Sequence, residues 1–152
     1  MIEEGESVPK FTINDAEGNK VKSTDFKGKK HVIYFYPKDF TPGCSTQADE
    51  FSTEYKKFQD NRIEIIGISP DDENLHKKFC AKMGIKYTLL SDIEKEASKA
   101  FGVWGMKKFM GREYTGWTRS SFFVNEKGKI FKIYPKVKPA GHAKQVLEDF
   151  TK

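Results

Sequence analysis

The segment of this chain with the most potential for chemistry reads Tyr36-Pro37-Lys38-Asp39-Phe40-Thr41-Pro42-Gly43-Cys44. Thr41 is a good helix N-cap and Pro42 suits the first helical position, so Cys44 falls in the first turn of a helix. A cysteine there meets backbone N–H groups that have no partner within the helix, together with the positive end of the helix dipole. Both favour thiolate over thiol, and the thiolate is the nucleophilic form. The Thr41 hydroxyl, three residues earlier, can donate to a bound oxygen or cap the helix. The residues alone leave two readings open: a reactive nucleophile, or an inert buried cysteine above an ordinary N-cap.

The elements around this segment follow from pattern. His31 to Tyr36 is an unbroken apolar run rich in β-branched and aromatic residues, as in a strand buried on both faces, and Pro37 ends it. In the helix that follows, Cys44, Ala48, Phe51, Tyr55 and Phe58 recur at helical spacing, which places Cys44 on the buried face. Ile63 to Ser69 reads as a second buried strand. Asp72 to Met83 reads as a helix closed by Gly84, with Leu75, Phe79 and Met83 on one face. At about 100° per residue, Cys80 lies about 60° beyond the edge of that stripe, at its flank. Tyr87 to Ser91 is a short strand and Glu94 to Phe101 a helix ended by Gly102. A Gly- and aromatic-rich stretch runs from Val103 to Trp117 and could line a pocket, pack the core or form a dimer surface. Arg119 to Val124 and Lys129 to Tyr134 are strands joined by a turn at Asn125 to Gly128. Gly141 to Phe150 is the last helix. Near the N-terminus, Lys10 to Ile13 and Lys20 to Lys22 flank turn residues and form a small hairpin. Strands alternating with helices, and then two adjacent strands, imply an α/β architecture with a mixed central sheet covered on both faces.

The chain has 152 residues, as expected for one domain, 1–152. Aromatic residues make up 14%, too many for a disordered chain. Two cysteines cannot build a secreted disulfide scaffold, and without a C-x-x-C pair or a Cys/His cluster no structural zinc site is expected. His31, His76 and His142 are unclustered. The start, MIEEGESVPKF, is acidic and lacks the form of a secretory signal, and no apolar run is long enough to span a bilayer. The expected location is the cytoplasm, with no membrane partner. The net charge is +5, but the lysines are scattered among acidic residues, which reads as a solvated surface and not a nucleic-acid site.

Pro37-x-x-x-Thr41-x-x-Cys44 is similar to the peroxidatic motif of the peroxiredoxins, and FYPKDFTPGCSTQADEF resembles their bacterioferritin-comigratory-protein, or peroxiredoxin Q, subgroup. The resemblance continues in order through Asp25-Phe26-Lys27-Gly28-Lys29, Ile68-Ser69, Leu89-Leu90-Ser91-Asp92, Phe101-Gly102-Val103-Trp104-Gly105, Phe109-Met110-Gly111-Arg112, Arg119-Ser120-Ser121-Phe122, and Val137-Lys138 to Gly141-His142. It implies a thioredoxin-like fold and a thiol-dependent peroxidase acting on hydrogen peroxide and organic hydroperoxides. Cys44 then matches the peroxidatic cysteine, Thr41 the hydroxyl that hydrogen-bonds the peroxide, and Pro37 the residue that shields the nucleophile from water. Arg119 matches the guanidinium that stabilises the thiolate; on residue type alone it would be a surface salt bridge.

The subgroup commonly has a second cysteine five residues after the first, where this chain has Asp49. Some relatives instead carry the resolving cysteine in the helix that here holds Cys80. The resemblance therefore implies a sulfenic acid on Cys44 that Cys80 resolves as an intramolecular disulfide, recycled by thioredoxin or a similar dithiol, in a monomer or weak homodimer. The competing readings are a one-cysteine peroxidase with Cys80 a bystander, and a non-enzymatic binding module on the same fold.

Overall fold

The computed structural model describes residues 2–109 and 111–151, and the backbone alone at 106–109 and 112–116. Its strands are β1 (Thr12–Asp15), β2 (Lys20–Lys22), β3 (Lys30–Phe35), β4 (Ile63–Ser69), β5 (Thr88–Ser91), β6 (Trp104–Phe109), β7 (Arg112–Trp117), β8 (Ser120–Val124) and β9 (Ile130–Tyr134). Its helices are α1 (Pro42–Asp60), α2 (Glu73–Met83), α3 (Glu96–Phe101) and α4 (His142–Thr151). Seven strands form one mixed sheet in the order β2-β1-β5-β4-β3-β8-β9, and β6 and β7 form a separate ribbon. None of the described helices is long and apolar enough to cross a membrane.

The central strands are apolar because both of their faces are covered. On one face Val32, Tyr34 and Tyr36 of the β3 run, Ile63 and Ile65 of β4, and Phe123 of β8 meet Cys44, Ala48, Phe51 and Phe58 of α1, Phe79 of α2 and Val146 of α4. On the other, Ile33, Phe35, Ile66, Ile68, Phe122 and Val124 meet Phe11, Ala97, Phe101 and Val103. Alternate residues of one strand thus serve opposite cores, as the strand period requires. Gly67 marks the tightest spot: a β-carbon there would lie 2.7 Å from Leu89 Cδ2 and 2.8 Å from Tyr34 Cζ. Its absence lets the Tyr34 ring stack on Phe51, with centroids 4.8 Å apart.

Element boundaries follow local chemistry. The Asp72 carboxylate accepts from Leu75 N and caps α2, and Gly84 ends that helix in the left-handed region at φ 65°. The N-terminal hairpin pairs Thr12 with Lys22 and Asn14 with Lys20. Two features differ from the sequence reading. The stretch after Val103 is an antiparallel ribbon pairing Trp104 with Trp117 and Gly105 with Gly116, and Trp117 packs on Phe35. Ahead of β1, residues 5–8 lie against the start of β9, with Gly5 N donating to Ile130 O and Ile130 N to Glu6 O.

His142, at the start of α4, is 2% exposed. Its Nε2 lies 2.8 Å from Ser121 Oγ. Burial pushes its pKa down to about 4, against smaller opposing effects of Gln145 and Asp149. The unfolded chain, with an ordinary histidine near about 6.5, takes up this proton first as pH falls. Stability is therefore expected to drop as pH falls from about 6.5 toward about 4, with a slope approaching one proton from this group. Burial also lowers His31, so His142→Gln should shrink the slope without abolishing it. Urea unfolding across that window checks this.

Candidate functional site

β3 delivers the chain to Tyr36, and the turn 37–41 carries it into α1. Thr41 adopts extended N-cap backbone, and Pro42 opens the helix. Pro42 has no N–H, so Gly43 and Cys44 supply the first free helical N–H groups beside the thiol. Cys44 is 2% exposed and its thiol is free.

Arg119 reaches this thiol from the chain just before β8. Its Nη2 donates to Cys44 Sγ at 3.3 Å and its Nη1 to Gln47 Oε1 at 2.7 Å. Gln47 is fully buried one helical turn after Cys44, and its Nε2 has no partner among the described residues. The planar guanidinium is thus held at two points, with one nitrogen aimed at sulfur. A permanent cation in that position stabilises negative charge on sulfur and on an oxygen attached to it. The contact spans 75 residues of sequence. It exists because β3 and β8 pair with Phe35 opposite Ser120, which places residue 119 beside the end of β3.

Thr41 departs from both roles its position suggests. Its hydroxyl makes no cap to α1 and donates to Lys38 O at 2.8 Å. With that proton engaged, its remaining capacity toward a ligand is as an acceptor. Pro37 is exposed in the turn before α1, and Asp49 is exposed on α1. Cys80, in α2, is half-buried and packs against the same core that holds Cys44. Burial, then the Asp39 and Glu17 carboxylates, push its pKa up to about 11. Of the histidines, His76 does belong to a cluster, with Asp39 and Asp71.

Beyond Arg119 lies a cavity of about 420 Å³ lined by Trp117, Thr118, Arg119, Lys136, Val137 and Lys138. A larger one, about 650 Å³, is at the opposite ends of β3 and β4 among Lys29, Lys30, Arg62 and Glu64, away from the thiol.

A thiol at a helix N-terminus, paired with a fixed guanidinium on a thioredoxin-like sheet, defines a class of redox enzymes, and the comparisons agree. Residues 5–133 match the AhpC/TSA family, and the chain belongs to that family, among its Bcp (peroxiredoxin Q) members. It is 41% identical over 147 residues to the peroxiredoxin Bcp of Bacillus subtilis, covering 97% of this chain and 94% of that one. To Bcp of Escherichia coli it is 37% identical over 146 residues, covering 96% and 94%. The bacterioferritin comigratory protein of Xanthomonas campestris superposes with a TM-score of 0.88 at 33% identity, covering 93% of this chain and 90% of that one. A cysteine-to-serine variant of Xylella fastidiosa peroxiredoxin Q superposes at 0.91 and 30% identity, covering 99% and 96%.

Gly43 tests how closely the guanidinium is packed. A β-carbon there would lie 3.1 Å from Arg119 Nη2 and 3.3 Å from Pro139 Cγ. Gly43→Ala should push Arg119 off the sulfur and slow peroxide consumption roughly tenfold, while alanine's better helix propensity keeps thermal stability at or above its original value. Paired rate and melting measurements check this.

Proposed function

We propose that this chain reduces hydroperoxides at Cys44, with Arg119, Thr41 and Pro37 as its partners and Cys80 as the resolving thiol. The observation that carries the reading is the 3.3 Å contact from Arg119 Nη2 to the buried Cys44 Sγ. The Cys44 thiolate attacks one peroxide oxygen in line with the O–O bond. That bond breaks, and the other oxygen leaves as water or an alcohol after taking up a proton. Negative charge moves from sulfur to the leaving oxygen, and the guanidinium is close enough to stabilise both ends. Thr41 Oγ1 accepts a hydrogen bond from a peroxide O–H. Pro37 forms the rim that limits water around the thiol.

Cys44 then carries a sulfenic acid. The Cys80 sulfur attacks it, the S–O bond breaks, and the oxygen departs as water, leaving a 44–80 disulfide. A dithiol protein of the thioredoxin type returns the two electrons. The Xanthomonas campestris relative has been solved with each of two different cysteines replaced by serine. Those two are separated by the same number of residues as Cys44 and Cys80, which supports a paired role. That protein is described as reducing alkyl peroxides, and the cavity beyond Arg119 gives room for an organic substituent here.

Cys44→Ser is expected to reduce peroxide turnover to background with the fold intact, as read by peroxide consumption and circular dichroism. One equivalent of peroxide should convert the parent protein to a monomeric 44–80 disulfide, seen as a linked peptide by non-reducing mass analysis. A lasting Cys44 sulfenic acid would instead identify a one-cysteine enzyme.

The raised Cys80 pKa has its own consequence. Below about 11 the thiol stays protonated in the closed fold and is a weak nucleophile. In Cys44→Ser protein, alkylation of Cys80 should therefore rise with a midpoint well above the ordinary thiol value of about 8.5. Unfolding the same protein in urea should bring the midpoint back to that value.

A further inference from the structure

The loop that carries Thr41 and leads to Cys44 is fastened to the helix that carries Cys80 by a buried pair outside the chemistry described above. Asp39 lies midway between Pro37 and Thr41 and is 2% exposed, and His76 of α2 is fully buried. His76 Nδ1 is 2.5 Å from Asp39 Oδ2, and its Nε2 is 3.0 Å from Leu90 O. A carbonyl only accepts, so Nε2 donates to Leu90 O, and Nδ1 and the Asp39 carboxylate share the second hydrogen bond. Asp39 Oδ1 accepts from Tyr36 Oη at 2.6 Å. Asp39 N donates to Asp71 Oδ2 at 2.7 Å, and Ser69 Oγ donates to the same oxygen at 2.8 Å. The atoms that Asp39, Asp71 and His76 direct toward one another are thus already bonded within the protein. The group is a closed network and not a cation site.

A second contact reinforces the first. Phe40 adopts φ 65°, a left-handed conformation that costs a bulky residue energy. Its ring stands edge-on to Phe79 of α2, with centroids 5.0 Å apart. The neighbours Asp39 and Phe40 therefore both hold on to α2, where His76 precedes Cys80 by about one turn and Phe79 is adjacent to it. The two cysteines remain separate thiols in this closed form. A disulfide needs their Cα atoms about 4.4–6.8 Å apart in a defined orientation, a geometry the two helices must reach together.

We propose that His76 is a positioning residue for this cycle, latching the Cys44 loop to the Cys80 helix through Asp39. This rests on the assignment of Cys80 as the resolving thiol. The latch sets the balance between the steps: holding the loop favours attack on peroxide, and loosening it favours closure.

The test uses full-length His76→Phe, which removes every hydrogen bond of the imidazole, and His76→Asn, which keeps a donor toward Asp39 and loses the Leu90 bond. In the reduced proteins, hydrogen exchange should accelerate roughly tenfold or more in residues 38–45 and 73–80 together for His76→Phe, and less for His76→Asn. Acceleration confined to α2, or spread evenly over the sheet, overturns the latch. In single turnovers, Cys44 oxidation should slow and disulfide closure should speed up, each by roughly tenfold. Slowing of both steps overturns the proposal. His76→Asn undergoes both measurements, so failure of His76→Phe to fold leaves the test intact. If the parent protein forms no 44–80 disulfide, the two-cysteine assignment fails, and hydrogen exchange alone then decides for or against the latch.

Discussion

The pairing of β3 with β8 is the constraint on which the site rests. With Phe35 opposite Ser120, Arg119 emerges beside the turn that leads into α1, within reach of Cys44. A slip of one residue would move every side chain of β8 to the other face of the sheet. Phe122 and Phe123 forbid that slip, because each fills a different core. The position of a single nitrogen beside a sulfur is therefore maintained by the packing of large rings on both faces of the sheet.

The strands and helices were legible because each carries its signal locally. The β3 run is apolar without a break, α1 has Thr41 and Pro42 at its start, and α2 has Asp72 and Gly84 at its ends. Cys44 was legible for the same reason, since its placement depends on the residues just before it. The ribbon of β6 and β7 was not. Its glycines and lysines interrupt any alternation, and the pairing of Gly105 with Gly116 becomes evident only once Trp104 and Trp117 face each other.

The rest of the site depends on contacts made far along the chain. Gln47 follows Cys44 by one turn, at the spacing that shares a helix face, yet a glutamine in a polar stretch reads as surface until Arg119 comes to meet it. Asp39 stands between Lys38 and Phe40 in a turn, where a carboxylate is ordinary, and its partner is 37 residues away. His76 appeared unclustered because its neighbours come from the turn before α1 and from β5. Thr41 shows the limit from the other side: it stands at the N-cap of α1, as its neighbours suggest, but the direction of its hydroxyl is decided by the nearby Lys38 carbonyl.

The short segment before β1 has a consequence for how the molecule behaves in a crowd. A sheet of seven strands ends in two rows of backbone groups that could recruit a strand from another chain. At one end β2 is three residues long, with lysines at both its ends, so an incoming strand would have to strip water from charged groups. At the other, residues 5–8 already occupy the outward bonds at Ile130, and the Glu4 carboxylate accepts from Ile133 N. The first residues of the chain thus act as a selvage that finishes the open border of the sheet. Trimming them would expose a row of unpaired amides beside Phe131, and the variant's weakness would be self-association and not loss of chemistry.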